Sequence, residues 1–401
     1  MPSVLPDGES VPPDGSLPVS ALAELATRPL GIYLHVPFCR TRCGYCDFNT
    51  YTADESGGAD PAGWVAAVHA ELRLARRVLG SQAPPVKTVF VGGGTPTLLL
   101  PETMRGILGG VRESFGLAPD AEVTTEANPE TVTYGSLVEL RAAGFTRVSL
   151  GMQSAVEHVL ATLDRVHTPQ RAVEAAQWAR RAGFEHVSLD LIYGTPGESL
   201  ADWRASLDAA LAAPIDHVSA YSLIVEPGTR MAARVRRGEL PLPDDDDLAE
   251  KYLVAETALT GAGFANYETS NWARPGGQCR HNLGYWMGAN WWGIGPGAHS
   301  HVGGVRFWNR KHPRSYAEEL GAGRTPAQGR EVLSREQRRM ERVLLETRLV
   351  TGLPLSLLTD SERGRVAAVV AAGLATVVGD RLQLSVAGRL LADGVVRDLL
   401  D

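Results

Sequence analysis

Between residues 31 and 224, short apolar and β-branched runs alternate with longer stretches in which apolar residues recur at helical spacing. Short runs bounded by turn residues predict buried strands, and the helical spacing predicts amphipathic helices that pack on them. Strands and helices that alternate in this way form right-handed βαβ units, so the predicted fold class is α/β with a parallel sheet, closed or partly closed. The predicted strands are 31–36, 88–91, 122–126, 147–151, 186–193 and 217–224, and the predicted helices are 64–79, 101–115, 138–143, 169–182 and 200–212.

The pattern changes after residue 224. An acidic run at 244–247 precedes a helical stretch and complements the positive end of that helix dipole. In the C-terminal part the predicted order of elements is helix, helix, ribbon, helix, which indicates a winged-helix-like unit. This fold alone does not establish DNA binding. The further predicted elements are a helix at 248–260, aromatic-rich strands at 264–272 and 305–308, helices at 331–347 and 362–372, a ribbon at 376–384 and a helix at 386–400.

These changes divide the chain into four predicted parts. Residues 1–28 are rich in Pro, Gly, Ser and acidic residues without sustained periodicity, which predicts a disordered leader. Residues 29–235 form the strand–helix core, 236–325 an aromatic-rich extension, and 326–401 a helix-rich C-terminal domain.

Composition restricts the class of protein. A chain of 401 residues with 44% hydrophobic residues has enough apolar side chains for two domains, or for one large barrel with an appendage. The net charge of −7 argues against a nucleic-acid partner. No apolar run approaches the roughly 20 residues that span a bilayer, so membrane contact is expected to be peripheral at most. With few cysteines and no secretory signal, we expect a cytoplasmic protein.

Three of the four cysteines, Cys39, Cys43 and Cys46, lie within eight residues at the spacing C-x3-C-x2-C. A zinc site would need a further pair of ligands nearby, and a disulfide framework would need an even set in a small secreted chain. Three thiolates can instead bind three irons of a [4Fe-4S] cube, which is normally held by four, and leave one iron for a small molecule. We favour the open cluster; zinc and structural cysteines are the alternatives.

Together with Tyr33, His35, Pro37 and Phe38, this segment resembles the cluster motif of the radical S-adenosylmethionine (SAM) superfamily. It is most similar to the branch that holds the HemN coproporphyrinogen dehydrogenases and the HemW haem chaperones. The resemblance implies a partial (β/α)6 radical SAM barrel with a C-terminal helix-rich, winged-helix-like domain. It also implies that SAM chelates the open iron and that an electron from the cluster cleaves SAM to a 5′-deoxyadenosyl radical.

Glycines and polar residues occur at the ends of several predicted strands, where α/β folds bind ligands. The run from Gly92 to Gly94 could be a tight turn, or it could let the backbone approach a ligand closely. Asp190 interrupts an apolar strand, where an unpaired charge is costly. The resemblance implies that the positions that bind SAM are Tyr33, Tyr45, Gly93, Gly94, Thr95, Glu126, Gln153, Arg165, Asp190 and Ile224.

A second segment, His281-Asn282-x-x-Tyr285-Trp286, lies in an aromatic-rich stretch. Histidine is a common axial ligand of haem iron, and aromatic rings offer flat faces to a porphyrin. By composition alone, such a histidine is more often a packed core residue. The string resembles the haem-binding motif of HemW proteins, which implies that all four residues bind haem. Cys279 and His281 alone are too few ligands for zinc, so Cys279 stays unassigned.

Two functions therefore compete: a dehydrogenase that decarboxylates coproporphyrinogen III, and a chaperone that binds haem and transfers it to acceptor proteins. The dehydrogenases carry a fourth cysteine two residues beyond the third, where this chain has Phe48, and they generally lack the H-N-x-x-Y-W string. Both differences favour the chaperone, for which we assign no catalytic residue. Its expected partners are haem-accepting proteins and an electron donor.

Overall fold

The computed structural model describes residues 7–56, 60–165 and 168–400. Most of its strands form one large sheet, in the order β12-β11-β10-β9-β1-β2-β3-β4-β5-β6-β8-β7. The strands of this sheet are β1 (Leu30–Val36), β2 (Val86–Gly93), β3 (Leu117–Ala127), β4 (Arg147–Gln153), β5 (His186–Tyr193), β6 (His217–Ser222), β7 (Ala265–Glu268), β8 (Asn271–Ala273), β9 (Asn290–Ile294), β10 (His299–Val302), β11 (Val305–Asn309) and β12 (Ala327–Val332).

The central strands β1 to β6 are parallel and adjacent in chain order. Ile32 pairs with Val89 and Val148 pairs with Val187 on the face that carries the helices, so the apolar runs are buried there. Tyr33 and Phe90 pair on the opposite face, here called the inner face. The predicted α/β fold with a parallel sheet is confirmed. The sheet continues beyond β1 and β6 with other strands, so the barrel is partial.

Helices connect the parallel strands and cover the outer face. Two of them begin with capping boxes, at Thr133 and Ser199, which satisfy the free amides of the first turn. The helices are α1 (Val19–Ala23), α2 (Pro61–Leu79), α3 (Pro101–Phe115), α4 (Tyr134–Ala143), α5 (Glu157–Thr162), α6 (Pro169–Arg181), α7 (Leu200–Leu211), α8 (Arg230–Arg236), α9 (Asp245–Gly261), α10 (Arg280–Trp286), α11 (Pro313–Gly321), α12 (Arg335–Glu346), α13 (Asp360–Ala371), α14 (Val386–Leu390) and α15 (Ala392–Leu400).

The aromatic-rich extension belongs to the same sheet as the core. β8 and β7 pair antiparallel beyond β6, whereas β9 pairs parallel with β1 and is followed by β10 to β12. The segment that we predicted as one strand, 264–272, is two strands joined by a turn. Residues 331 and 332, which we assigned to a helix, end β12 instead. Both edges of the parallel sheet would otherwise expose unpaired backbone groups, and these strands pair with them.

The predicted disordered leader is wrong for residues 7–28. Leu17, Ala21 and Leu25 are buried in the main core, and α1 lies among them. Glu9 bridges to Arg330 through paired backbone hydrogen bonds of 2.9 and 3.0 Å. The apolar residues recur every four positions, and this short period was hidden by the surrounding proline and glycine. Residues 1–6 lie outside the described part of the chain.

The C-terminal unit has its own core, which includes Val343, Val369 and Leu382. Its three strands, β13 (Leu353–Pro354), β14 (Ala375–Val378) and β15 (Arg381–Leu384), form a small sheet in the order β13-β15-β14. With α12 before β13 and α13 before the hairpin, the order of elements is that of a winged-helix-like unit. Sequence analysis missed the short strand β13 because two residues carry no periodicity.

Candidate functional site

Cys39, Cys43 and Cys46 lie in the loop between β1 and α2, at the carboxyl edge of the parallel strands. All three are free thiols and partly buried. Burial, together with the neighbouring thiols Cys43 and Cys39, raises the pKa of Cys46 to about 11. Burial also raises the pKa of Cys39. A bound metal cation stabilises the thiolate in such a place, so metal binding displaces the thiol proton, which is released to solvent.

Two hydrogen-bond donors lie beside the sulfurs of the cysteine loop. In the described ranges, no three His, Cys, Asp or Glu side chains converge on the position of one metal ion. In a cubane each thiolate binds a different iron, so its cysteines need not converge on one point. The Arg165 guanidinium donates to Cys43 Sγ at 3.5 Å, and the Thr95 hydroxyl lies 3.9 Å from Cys39 Sγ. Such donors stabilise anionic sulfur.

The glycine loop after β2 packs directly on the cysteine loop. The amides of Gly94 and Thr95 donate to the carbonyls of Val36 and Phe38, both at 2.8 Å. A Cβ atom on Gly94 would lie 2.4 Å from the Phe38 carbonyl oxygen and 3.0 Å from Cys39 Sγ. Gly93 has a φ of 109°, which side chains rarely adopt. Glycine is therefore required here for close approach of the two loops.

Glu126, near the end of β3, accepts a hydrogen bond from the Gly93 amide at 3.0 Å. Burial raises the pKa of its carboxyl to about 8, and the nearby Asp190 carboxyl adds to the shift. Within the described residues no cationic side chain pairs with Glu126. The carboxylate therefore suits a ligand that carries an ammonium group.

Asp190 and Arg165 lie on neighbouring parts of the same edge. Asp190 accepts from the Ser149 hydroxyl at 2.8 Å, and burial raises the pKa of its carboxyl. Arg165 donates to the Gly151 carbonyl at 2.9 Å, while its Nε is buried without a hydrogen-bond partner in the described structure. Gln153 has a φ of 63°, the left-handed region that costs a non-glycine residue energy. Strain and an unsatisfied donor at one edge are typical of ligand sites.

Two tyrosines and Ile224 complete the predicted set. The Tyr33 hydroxyl lies 3.0 Å from His35 Nδ1, and Tyr45 packs beside Val159 and Met231. Ile224, by contrast, lies two residues beyond the end of β6 and is 64% exposed. The strand that we predicted to reach residue 224 ends at Ser222, so the side chain of Ile224 is not held by the sheet.

The H-N-x-x-Y-W string forms α10, on the inner face at the amino ends of β1 and β2. His281 is buried, with Nδ1 2.8 Å from the Thr88 hydroxyl and Nε2 2.8 Å from the Tyr285 hydroxyl. Phe90 stacks on the imidazole at 5.3 Å. Burial lowers the pKa of His281 to about 4, so the ring is neutral. Both nitrogens are occupied, as in a packed core histidine.

His281 and the cysteines lie at opposite ends of β1. Gly31 is the second residue of β1, and a Cβ atom added to it would lie 3.3 Å from the His281 ring. Cys39 lies three residues beyond Val36, the last residue of the same strand. At roughly 3.3 Å per residue, the strand separates the two sites by roughly 16 Å. The cysteine loop and His281 therefore lie at opposite ends of β1.

A cavity of about 320 Å³ lies beside α10. It is within the size range of small-molecule pockets. Asn282, Tyr285 and Trp286 line it, so α10 presents these residues to the cavity while His281 lies behind Tyr285. The opposite walls come from β6, from the turn between β7 and β8, and from α12 of the C-terminal unit, through Tyr221, Glu268, Ser270, Asn271 and Leu345.

Sequence analysis missed the ion pair that holds α10. Arg147 Nε and Glu122 Oε2 are 3.2 Å apart, and both side chains are 2% exposed. Glu122 accepts from the amides of Arg280 and His281 at 3.1 and 3.0 Å, and Cys279 Sγ lies 3.6 Å away. Cys279, which we left unassigned, is thus a buried part of this junction. The sequence did contain a sign of this ion pair: two predicted strands begin with a charged residue, Glu122 in one and Arg147 in the other.

The fold and the cysteine loop define the class of protein. The family model of the Radical SAM superfamily matches residues 33–210 of the chain. The solved structure of coproporphyrinogen III oxidase (HemN) from Escherichia coli has a TM-score of 0.79 with this structure, covers 94% of this chain and 92% of its own, and is 22% identical. That likeness concerns the fold alone.

Comparison with similar proteins identifies the family within this superfamily. The chain is 58% identical to heme chaperone HemW of Mycobacterium tuberculosis, over 94% of this chain and 97% of the relative. It is 40% identical to heme chaperone HemW of Escherichia coli, over 72% of this chain and 76% of the relative. The chain therefore belongs to the HemW family of radical SAM proteins. That family implies a [4Fe-4S] cluster and SAM.

Proposed function

We propose that this protein is a haem chaperone that binds haem at α10 and transfers it to acceptor proteins. The supporting observation is the 58% identity to the Mycobacterium tuberculosis heme chaperone HemW across nearly the full length of both chains. In the described residues, no helix is long and apolar enough to cross a membrane. The acceptor proteins, the electron donor, any peripheral membrane contact and the cytoplasmic location remain predictions, as does the absence of a nucleic-acid partner.

At the carboxyl edge, Cys39, Cys43 and Cys46 would hold three irons of the cluster, and the open iron would bind SAM. When bound, the cluster and SAM together supply an electron and a source of an adenosyl radical. Glu126 would accept the ammonium group of SAM, because its carboxyl lacks a cationic partner in the described structure. The other SAM positions that we propose are Tyr33, Tyr45, Gly93, Gly94, Thr95, Gln153, Arg165, Asp190 and Ile224.

At the amino end of β1, His281 would hold the haem iron. Asn282, Tyr285 and Trp286 line the cavity beside it and would contact the porphyrin. Because His281 is neutral at physiological pH, a ring nitrogen can bind iron without first losing a proton to solvent.

The first test is a haem titration followed by absorbance in the Soret region. Replacing His281 with alanine should weaken haem binding and leave the cluster chromophore intact. His217 offers a matched control, since it is equally buried and both its ring nitrogens contact hydroxyls, of Ser188 and Tyr267, at 2.7 Å. Unchanged titration of His281→Ala would remove His281 as the ligand.

The second test separates the chaperone from a dehydrogenase. Phe48, which is 48% exposed, takes the place of the fourth cysteine of the dehydrogenases. Reconstituted protein is incubated without oxygen with SAM, a reductant and coproporphyrinogen III. We expect haem retention without turnover; formation of protoporphyrinogen would overturn the proposal.

A further inference from the structure

The two hydrogen bonds of His281 determine which of its nitrogens has a free lone pair. The phenol of Tyr285 is protonated at neutral pH, because the ordinary pKa of tyrosine is about 10. Within the described structure the only hydrogen-bond partner of that hydroxyl is His281 Nε2, at 2.8 Å. A phenol is a better donor than an aliphatic alcohol, so Tyr285 donates and Nε2 accepts. In a neutral imidazole the proton then lies on Nδ1.

The Nδ1 proton has an acceptor in the Thr88 hydroxyl, at 2.8 Å. Thr88 is on β2, and a Cβ atom added to Gly31 of β1 would lie only 2.9 Å from its oxygen. The rigid centre of the sheet therefore holds the acceptor in place. Partners of this kind orient metal-binding histidines and fix their tautomer.

Tyr285 lies between His281 and the cavity. It contacts Nε2 on one side, lines the cavity on the other, and packs edge-on against Trp291 at 4.7 Å. A planar ligand in the cavity reaches Nε2 only if the phenol moves aside.

We propose that Tyr285 gates access to His281, and that Thr88 is a positioning residue that keeps the Nε2 lone pair directed at the incoming haem iron. This inference rests on the proposed function. Haem binding would break the hydrogen bond from the Tyr285 hydroxyl to Nε2 and leave that nitrogen free to hold the iron. The phenol keeps its proton, and no electron is transferred.

Three variants test the proposal by haem titration. In Thr88→Val the Nδ1–H is left without an acceptor, so the proton moves to Nε2 and haem binds about tenfold or more weaker. Thr88→Ser restores an acceptor and wild-type binding. Tyr285→Phe keeps the ring but removes the competing hydroxyl, so haem binds about two- to tenfold tighter. Thr124→Val is the control, because Thr124 lies on the neighbouring strand β3, is fully buried, and its hydroxyl has no partner in the described residues.

Two readouts distinguish positioning from a merely structural role. In haem-free protein, ring ¹⁵N shifts should report Nδ1–H in wild type and Thr88→Ser, and Nε2–H in Thr88→Val. In haem-loaded protein, Thr88→Val should raise the reduction potential, because loss of the hydrogen bond makes the imidazole a less basic ligand.

The outcomes separate this inference from the function on which it rests. If wild type binds haem and His281→Ala does not, but Thr88→Val and Tyr285→Phe match wild type, the gate is overturned and the function stands. An Nε2–H tautomer in wild-type protein would also overturn it. If wild type does not bind haem, both fail.

Discussion

Glu126 is a carboxyl group on the inner face of the sheet, with the Asp190 carboxyl as its charged neighbour. A protein keeps such a group at a cost in stability, because ionising it in a low-dielectric place is unfavourable. A cationic ligand would offset this cost on binding, which explains why the group is retained at this edge. The same reasoning applies to Cys39 and Cys46, because burial raises the pKa of both thiols.

The Glu126 carboxyl predicts a pH dependence of stability in the ligand-free protein. Its pKa of about 8 in the folded state lies above the ordinary 4.5, so the native state holds a proton that the unfolded chain releases. The protonated carboxyl therefore contributes to the free energy of unfolding. This contribution is fully present below the ordinary pKa and is lost as the pH rises through about 8. We therefore expect the free energy of unfolding to fall less in Glu126→Gln than in wild type between about pH 5 and about pH 9.

Chemical denaturation at both pH values measures the difference, with the exposed Glu102→Gln as control. SAM binding should weaken in Glu126→Gln only. Equal pH dependence in Glu126→Gln and wild type would contradict the assignment of the shift to this carboxyl.

Replacing a cysteine of the loop and replacing Cys279 should have different effects on the cluster. Cys39→Ser should lose most of the iron, sulfide and visible absorbance of anaerobically reconstituted protein, because three thiolates are the minimum that the open cube requires. Cys279→Ser should keep them, since Cys279 is buried beside Glu122 at the other end of the strands. Iron and sulfide contents of the two variants measure this contrast. A full content of iron and sulfide in Cys39→Ser would argue against a cluster at this loop.

At the scale of elements, α10 begins without a side-chain cap of its own. Glu122, on β3, accepts the amides of the first two residues of the helix, and Arg147, on β4, donates to the carbonyls of Gly277 and Gln278 at 2.7 and 3.0 Å. Two strands thus set the position of the helix that carries His281. The free amides at the start of a buried helix cannot bind water, so they need partners from other elements. Here those partners fix the position of the first turn of α10.

This arrangement predicts a large effect of a small change. Glu122→Gln leaves the buried Arg147 charge unpaired and should lower the free energy of unfolding by about 3–5 kcal/mol. Glu185→Gln breaks the more exposed pair with Arg141 and should cost about 0–1 kcal/mol. Urea denaturation of both variants measures the contrast, and equal effects would show that the pair does not secure the helix.

At the scale of the molecule, the N-terminal segment joins parts that are distant in sequence. Glu9 pairs with Arg330 of β12, and Glu24 pairs with Arg338 of α12, so the segment connects the sheet edge with the C-terminal unit. That unit in turn forms one wall of the cavity through Leu345. The N-terminal segment therefore contacts the same helix, α12, that forms this wall of the cavity.

Leu25 and Val19 test whether the segment is structural. Leu25 is 2% exposed, so Leu25→Ala should cost about 2–5 kcal/mol of stability through loss of buried area and the cavity that remains. Val19 is 83% exposed, and Val19→Ala should stay within about 0.5 kcal/mol of wild type. Equal stability of the two variants in chemical denaturation would favour a detached leader.

The sequence by itself determined the parallel α/β core, the cysteine loop and the residues at the strand ends. These depend on local information: the period of apolar residues predicts the strands, and parallel strands bring their carboxyl ends to one edge. Cys39, the glycine loop at Gly94 and Glu126 are therefore expected near one another on the strength of the residue pattern alone.

Only the tertiary structure decided what surrounds α10 and how the ends of the chain pack. Glu122 and Arg280 are 158 residues apart, Thr88 and His281 are 193 apart, and Glu9 and Arg330 are 321 apart. Such contacts follow from the register and pairing of strands, which leave no periodic trace in the residues that they join. For the same reason Ile224 looked like a strand residue in sequence, whereas the sheet ends two residues earlier.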